Sequence, residues 1–269
     1  MAEVSALPVD GRIPLHSAPR WKGWIGAAWI AIAIWVSFAY LDVSIVQLLR
    51  DLPGFFAFFA ENFIPPNYEN IVRYLPFILD TVLFAVVGTY VSALLSFVFG
   101  LLMSRKYSPV PALRVVFTVI ASVLRNVPFL VWASLLIFIF GIGNLVGLLA
   151  ISLVTLGFLS RSYAVSMDEI ESEKLDGLRA AGASYWQLLF HGLVPEFVPA
   201  WLNWTLFTFE INIRASAVLG MVGAGGMGIM IQTTLRHFRY KESLSLILVL
   251  VGMVLVTELV TSRLRNRIQ

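Results

Sequence analysis

No cysteine occurs among the 269 residues, which excludes disulfides, thiolate metal sites and a cysteine nucleophile together. Charge is nearly as scarce, with Asp, Glu, Lys and Arg at 13% against roughly 25% in ordinary soluble domains. Walker A, G-x-S-x-G and H-E-x-x-H patterns are also missing, so the chain lacks its own ATP phosphate loop, a nucleophile elbow and a zinc-protease helix. What is abundant is apolar: 59% of the residues are hydrophobic. The distribution settles the class, because the charges leave long gaps at Gly23–Leu41, Thr81–Ser104, Asn126–Ser160, Ala215–Leu235 and Ser243–Thr257. A membrane span needs about 20 mostly apolar residues. The chain is therefore an all-α polytopic membrane protein.

The first gap follows Arg20 and Lys22 and is longer than the core of a cleaved signal, about 7–15 residues; it reads as an uncleaved anchor. Asp42–Pro76 mixes charge, proline and aromatics, with Leu48, Leu49, Leu52, Phe55, Phe56 and Phe59 at roughly helical spacing. That pattern predicts a helix lying on the membrane surface, ended by Pro65-Pro66. A second span runs over about Phe77–Met103, with Asp80 near its start. The gap from Asn126 to Ser160 is 35 residues, too long for one crossing, and breaks at Gly141-Ile142-Gly143-Asn144. It supplies a third span over about Leu113–Phe140, kinked near Arg125 by Pro128, and a fourth over Leu145–Val165. A fifth runs from about Phe197 through Glu210 and Arg214 to Val222, and a sixth covers Leu244–Thr261.

About six spans place both termini on one side. Positive charge selects the cytoplasmic side, since 12 of the 19 Lys and Arg then fall inside. The chain divides into a cytoplasmic segment 1–22, a first span with its surface helix 23–76, a core domain 77–262 and a basic cytoplasmic tail 263–269. Arg236, Arg239 and Lys241 break the bias by falling outside. They form a basic patch suited to attracting an anion or an acidic docking surface, although a short solvated turn is the plainer alternative. His237 beside them reads as a surface residue.

The polar inner loop 168–195 carries the most distinctive pattern. Asp176 to Phe190 reads as two short helices broken at Gly182, the second opened by a capping box between Ser184 and Gln187. Trp186 and its neighbours then protrude from a helix in water. An exposed apolar ridge of this kind asks for a groove on a partner, or else rests against the spans of its own chain.

This loop resembles the signature cytoplasmic loop of binding-protein-dependent ABC importer permeases. In that family a Glu-Ala-Ala is followed by Gly six residues after the Glu and closes on Ile-x-Leu-Pro. Here Asp176 stands for the Glu, Gly182 for the Gly, and Gly192-Leu193-Val194-Pro195 for the close. The letters depart at Asp176, at Gly177-Leu178, and at Gly192 and Val194. The resemblance implies that Asp176, Ala180, Gly182, Ala183, Ser184, Trp186, Gln187 and Pro195 belong to a coupling element that docks into a cleft of the ATPase subunit. Leu124-Arg125-Asn126-Val127-Pro128-Phe129 and Val222-Gly223-Ala224-Gly225-Gly226 are similar to stretches shared by phosphonate and methionine permeases. Glu210-Ile211-Asn212-Ile213-Arg214-Ala215-Ser216 points to the phosphonate branch.

What the resemblance implies is a type I ABC importer permease fold of the methionine/phosphonate kind, in a bacterial inner membrane. It also implies three partners: an ATP-binding cassette dimer that binds the ATP and Mg²⁺, a periplasmic or lipid-anchored substrate-binding protein, and a second permease copy. Membrane lipid surrounds the chain, and neither nucleic acid nor a cofactor of its own is expected. The substrate class implied is phosphonate, phosphite or phosphate. A methionine-type importer is the alternative, followed by a stand-alone secondary transporter, for which an exposed coupling loop has no use.

Two further features carry chemistry. Gly223-Ala224-Gly225-Gly226-Met227-Gly228 matches the dinucleotide fingerprint in letters, but it follows a membrane helix rather than a strand and stands outside any βαβ unit. Its glycines instead suit close backbone approach in a bend at the outer end of the fifth span. Arg125, Glu210 and Arg214 are the ionisable groups deepest in the spans, where such residues are costly and face the bundle interior or a water path. Glu210 and Arg214 stand one helical turn apart and can pair. A structural ion pair and a cationic lining for a tetrahedral oxyanion both remain open at this point. Gly143-x-x-x-Gly147 offers a helix-packing interface with its face unassigned.

Overall fold

A computed structural model describes residues 20–41 and 44–268. Among these, all regular structure is helical. The chain falls into two compact units, Met1–Phe58 and Phe59–Gln269. The expected cytoplasmic segment 1–22 lies outside the described residues as far as residue 19, as does Asp42.

The first unit holds α1 (Arg20–Tyr40) and most of α2 (Ile45–Phe63). α2 ends just before Pro65-Pro66, as its sequence predicts. It buries none of its residues, and Leu48, Leu49 and Phe56 stand exposed.

The second unit begins with a 3₁₀ turn, Ile71–Tyr74, that leads into α3 (Leu75–Met103). It continues through α4 (Pro111–Asn126), α5 (Phe129–Phe140), α6 (Asn144–Glu169) and α7 (Ser172–Ala180). Next come α8 (Tyr185–Gln187), a π turn (Leu188–Leu193), α9 (Val194–Met221), α10 (Gly226–Arg236) and α11 (Tyr240–Ile268). α3 and α6 form the central pair. Their contact works because α3 presents small residues, Ala85, Gly88, Ser92, Ala93, Ser96 and Gly100, along one buried stripe. A Cβ at Gly100 would stand 2.9 Å from the Tyr163 Cβ, and one at Gly88 3.0 Å from Ile151 Cγ2. Ser92 and Ser96 donate across the seam to the carbonyls of Ser152 and Leu156, at 3.0 and 3.1 Å. In a bilayer no hydrophobic drive joins two apolar helices, so close packing and such hydrogen bonds must do it.

α3 with its leading turn, α6 and α11 are each long and apolar enough to cross a membrane. Counting each bent helix pair as one span gives up to six. Three boundaries differ from expectation. The third span is not a kinked helix: α4 and α5 meet at 92°. Pro128 forces Val127 into extended backbone (φ −81°, ψ 119°), which stops α4 instead of bending it. Beyond the glycine segment that ends the fifth span a further helix follows, α10, bent by 41° from the one before it. α11 also extends beyond Thr261, through the last arginines to Ile268. Its most apolar window is only 17% buried within the chain, so lipid or another subunit must cover the rest.

Candidate coupling surface and translocation path

Past the last turn of α6 the chain is polar, and the corner between α3 and α4 holds it in place. The Asp168 carboxylate accepts from Ser104 Oγ at 2.6 Å and from the Arg105 amide at 2.9 Å. Lys106 Nζ donates to the Ile170 carbonyl at 2.8 Å, and Tyr185 Oη to the Tyr107 carbonyl at 2.8 Å. Tyr107 is itself buried, and that burial, reinforced by Asp168 and opposed by Arg179, holds its phenol above the usual value.

On this anchored base α7 and α8 follow the expected pattern. Gly182 takes φ +78°, the left-handed turn that a side chain resists. The capping box is present: the Gln187 amide donates to Ser184 Oγ at 3.4 Å, and the Ser184 amide to Gln187 Oε1 at 2.8 Å. Ala183 sits between them, half-buried, while Ala180 and Asp176 stand exposed. Asp176 pairs with Arg179 at 3.1 Å.

The departure at Gly192 has a physical reason. A Cβ there would lie 2.5 Å from Leu175 Cδ2 and 3.0 Å from Leu178 Cδ1, so glycine lets α7 seat against the π turn. Leu175, Leu188, Leu189 and Leu193 then close a core with Tyr163 and Phe197. Trp186 and Phe190 remain outside it, 63% and 58% exposed and stacked at 6.1 Å. Pro195 lies in the first turn of α9, directly after the π turn.

Midway along α9, Glu210 is nearly enclosed and holds two arginines. Arg214 reaches it at 2.9 Å from one turn away, and Arg265 at 3.4 Å from the end of α11. The second partner is not legible in the sequence, where Arg265 reads as part of a basic tail. Arg214 keeps half its side chain exposed.

Arg125 belongs to a different cluster. It lines a cavity of about 210 Å³ with Thr155, Phe158, Thr208, Ile211 and Asn212. Its backbone is held by an unusually close approach, since a Cβ on Gly157 of α6 would lie 2.7 Å from both the Ala121 carbonyl oxygen and the Arg125 amide nitrogen. Asn212 is the hub behind the cavity, donating to Thr89 at 2.8 Å and Thr155 at 2.9 Å, so α3, α6 and α9 meet at one amide. Thr89, Thr155 and Gly157 were not legible as site residues, because single small or hydroxylic residues in spans carry no spacing signal. Pro128 caps the start of α5, and Trp132 Nε1 returns to the Leu124 carbonyl at 3.2 Å across the break.

At the opposite end of α9, Gly223, Gly225 and Gly226 all take positive φ, between +70° and +96°. The bend they form is buried against the start of α3, where Thr81 Oγ1 accepts from the Met227 amide at 2.8 Å and Ser216 Oγ donates to the Thr81 carbonyl at 3.2 Å. Gly147 serves the same junction: its Cβ would meet the Ala224 carbonyl oxygen at 2.5 Å. Of the Gly143–Gly147 pair, Gly147 thus packs within the chain, whereas a Cβ at Gly143 would meet nothing within 4 Å.

The outer basic residues gather just beyond. Arg236 ends α10, Lys241 lies in the first turn of α11, and both are exposed. Arg239 pairs with Glu242, which also accepts from Tyr74 at 2.8 Å and Asn70 at 3.2 Å. That carboxylate hydrogen bond raises the Arg239 pKa further. Arg73, Thr233, His237 and Arg239 line a cavity of about 420 Å³, so a fourth cation joins this region.

The family described as binding-protein-dependent transport system inner membrane component matches residues 96–269. A phosphite transport system permease protein of Stutzerimonas stutzeri is 30% identical over 270 residues, covering 98% of this chain and 97% of that protein. A phosphate-import permease protein of Mycolicibacterium smegmatis is 32% identical over 206 residues, covering 77% of this chain and 39% of that protein. Methionine permeases match over shorter stretches. Among solved structures, an inward-facing methionine ABC transporter aligns with a TM-score of 0.62 at 21% identity, over 75% of this chain and 99% of that one. That likeness shows the fold alone.

Proposed function

The chain belongs to the family of binding-protein-dependent transport system inner membrane components, and on that premise we propose that it forms the translocation path of an ATP-driven importer for phosphite, phosphonate or phosphate. The observation that carries the reading is the end-to-end similarity to a phosphite permease. The exposed Trp186–Phe190 ridge supports it, since its anchored base suits rigid docking into another protein.

In this reading both termini face the cytoplasm, two copies of the chain enclose the path, and ATP and Mg²⁺ are bound by a partner ATPase dimer. A substrate-binding protein delivers the oxyanion to the outer mouth, where Arg73, Arg236, Arg239 and Lys241 provide a positive field. Closure of the ATPase pair pushes on α7 and α8, and Pro195 passes the displacement to α9. Gly223, Gly225 and Gly226, at the far end of that helix, are the hinge or gate. Arg125 and Arg214 give the moving anion transient partners, the guanidinium fork being suited to tetrahedral oxyanions. Glu210 keeps Arg214 from holding the anion too firmly.

The test is reconstitution with a partner ATPase and a substrate-binding protein, and uptake measured over phosphite, methylphosphonate, phosphate and methionine. Binding-protein-dependent, ATP-driven uptake of a phosphorus oxyanion is expected. Uptake of methionine alone, or uptake without the ATPase, overturns the reading.

A further inference from the structure

Among the arginines of the second unit, two groups differ in their surroundings. Arg179, Arg214, Arg239 and Arg265 each face a carboxylate. Arg105, Arg114 and Arg161 form no ion pair among the described residues, yet all three line one cavity of about 500 Å³. They reach it from separate elements: Arg105 from the corner after α3, Arg114 from the first turn of α4, and Arg161 from α6. Thr118, one turn beyond Arg114, adds a hydroxyl to the wall.

The only carboxylate in that wall is Asp168, two turns beyond Arg161 on the same face of α6. Its oxygens are already engaged by Ser104 Oγ and by the amides of Arg105 and Lys106. It therefore stabilises the corner rather than pairing with a guanidinium. Three cations converging on one cavity repel one another unless an anion joins them. Scattered arginines that only orient a membrane protein have no reason to share a cavity.

We propose that this cavity binds a phosphate-type group, with Arg105, Arg114 and Arg161 as its guanidinium donors. Arginine matches tetrahedral oxyanions through paired N–H bonds, and the volume leaves room for a substituent or hydration water. Two sources carry that chemistry, the headgroup of an anionic phospholipid and a free phosphorus oxyanion. Either would tie the α3–α4 corner to the end of α6, next to the residues that anchor α7 and α8. The proposal does not rest on which solute is transported.

The test uses the full chain in neutral detergent, with two probes. One arm titrates inorganic phosphate against chloride at equal ionic strength and follows the thermal midpoint. The other adds phosphatidylglycerol to phosphatidylcholine mixed micelles and counts retained lipid by native mass spectrometry. Binding in at least one arm is expected, with affinity at least about tenfold weaker for Arg105→Gln/Arg114→Gln/Arg161→Gln. The triple lysine variant, which keeps charge but loses the fork, falls between. Phosphate binding identifies the soluble oxyanion as ligand, and binding confined to phosphatidylglycerol identifies the lipid. Arg161→Gln alone, at an exposed position, covers the case in which the triple variant does not fold, and several-fold weakening is expected of it. No binding in either arm, or binding that the glutamine variants leave unchanged, overturns the proposal.

Discussion

The two ends of α9 solve opposite problems with opposite means. Where the helix begins, large side chains stand outside: Trp186 and Phe190 are exposed on a backbone pinned by Tyr185, Lys106 and Asp168. Where it ends, side chains are removed and backbone is buried. Gly220 and Gly228 lie so close that a Cβ on either would strike the facing main chain. The first end presents an exposed aromatic ridge, in the proposed function a docking surface, and the second is a junction with no room for an added atom. A mutation at the first should therefore change assembly without changing the fold, and a mutation at the second should do the reverse.

The largest expected effect lies at the glycine end. Gly228→Ala forces apart α9 and α10, because its Cβ would collide with the Ala217 carbonyl and stand 2.8 Å from the Met221 amide nitrogen. Overpacking of that kind costs about 3 kcal/mol, so the thermal midpoint in detergent should fall sharply; an unchanged midpoint would show that the junction can relax. Next is Glu210→Gln, which leaves Arg214 and Arg265 without their shared carboxylate. Removing one partner of an enclosed pair costs roughly 3 kcal/mol, tempered here by the exposure of Arg214, and a midpoint drop smaller than that of Gly228→Ala checks the order.

At the docking end, Trp186→Ala should move stability by no more than about 0.5 kcal/mol, while weakening capture of the ATPase at least about tenfold, as an exposed aromatic anchor does. Pull-down and thermal melting on the same preparation separate the two readouts. The smallest effect belongs to Tyr185→Phe, which loses one hydrogen bond to the Tyr107 carbonyl, worth about 1 kcal/mol. It should soften the base of the ridge and lower ATPase coupling only a few-fold.

The docking end was largely legible in the sequence. A left-handed glycine at 182 and a Ser–x–x–Gln cap are local signals, fixed by a few consecutive residues, and they survive folding unchanged. The glycine end was legible only in part. Its run of glycines marked a bend, but that α10 would continue at 41° depends on Thr81 and Gly147, far away in the chain. Proline alone does not say whether a helix resumes in the same direction, so a kink and a break at Pro128 look alike in the sequence. Asn212 and Arg265 were out of reach for the same reason: their partners sit on other helices, and one polar residue in a span has no period to betray it. The seating role of Gly192 was likewise hidden, since only the docked α7 shows why a side chain is excluded there.

In the proposed function, ATP hydrolysis reaches the oxyanion path through the Trp186 ridge. The most direct measurement is ATP hydrolysis by the reconstituted complex, with and without binding protein loaded with phosphite. The account predicts that loaded binding protein stimulates hydrolysis in the wild type, and that Trp186→Ala abolishes this stimulation while its thermal midpoint stays unchanged. Full stimulation in a Trp186→Ala complex, or phosphite uptake by the permease alone, would contradict it.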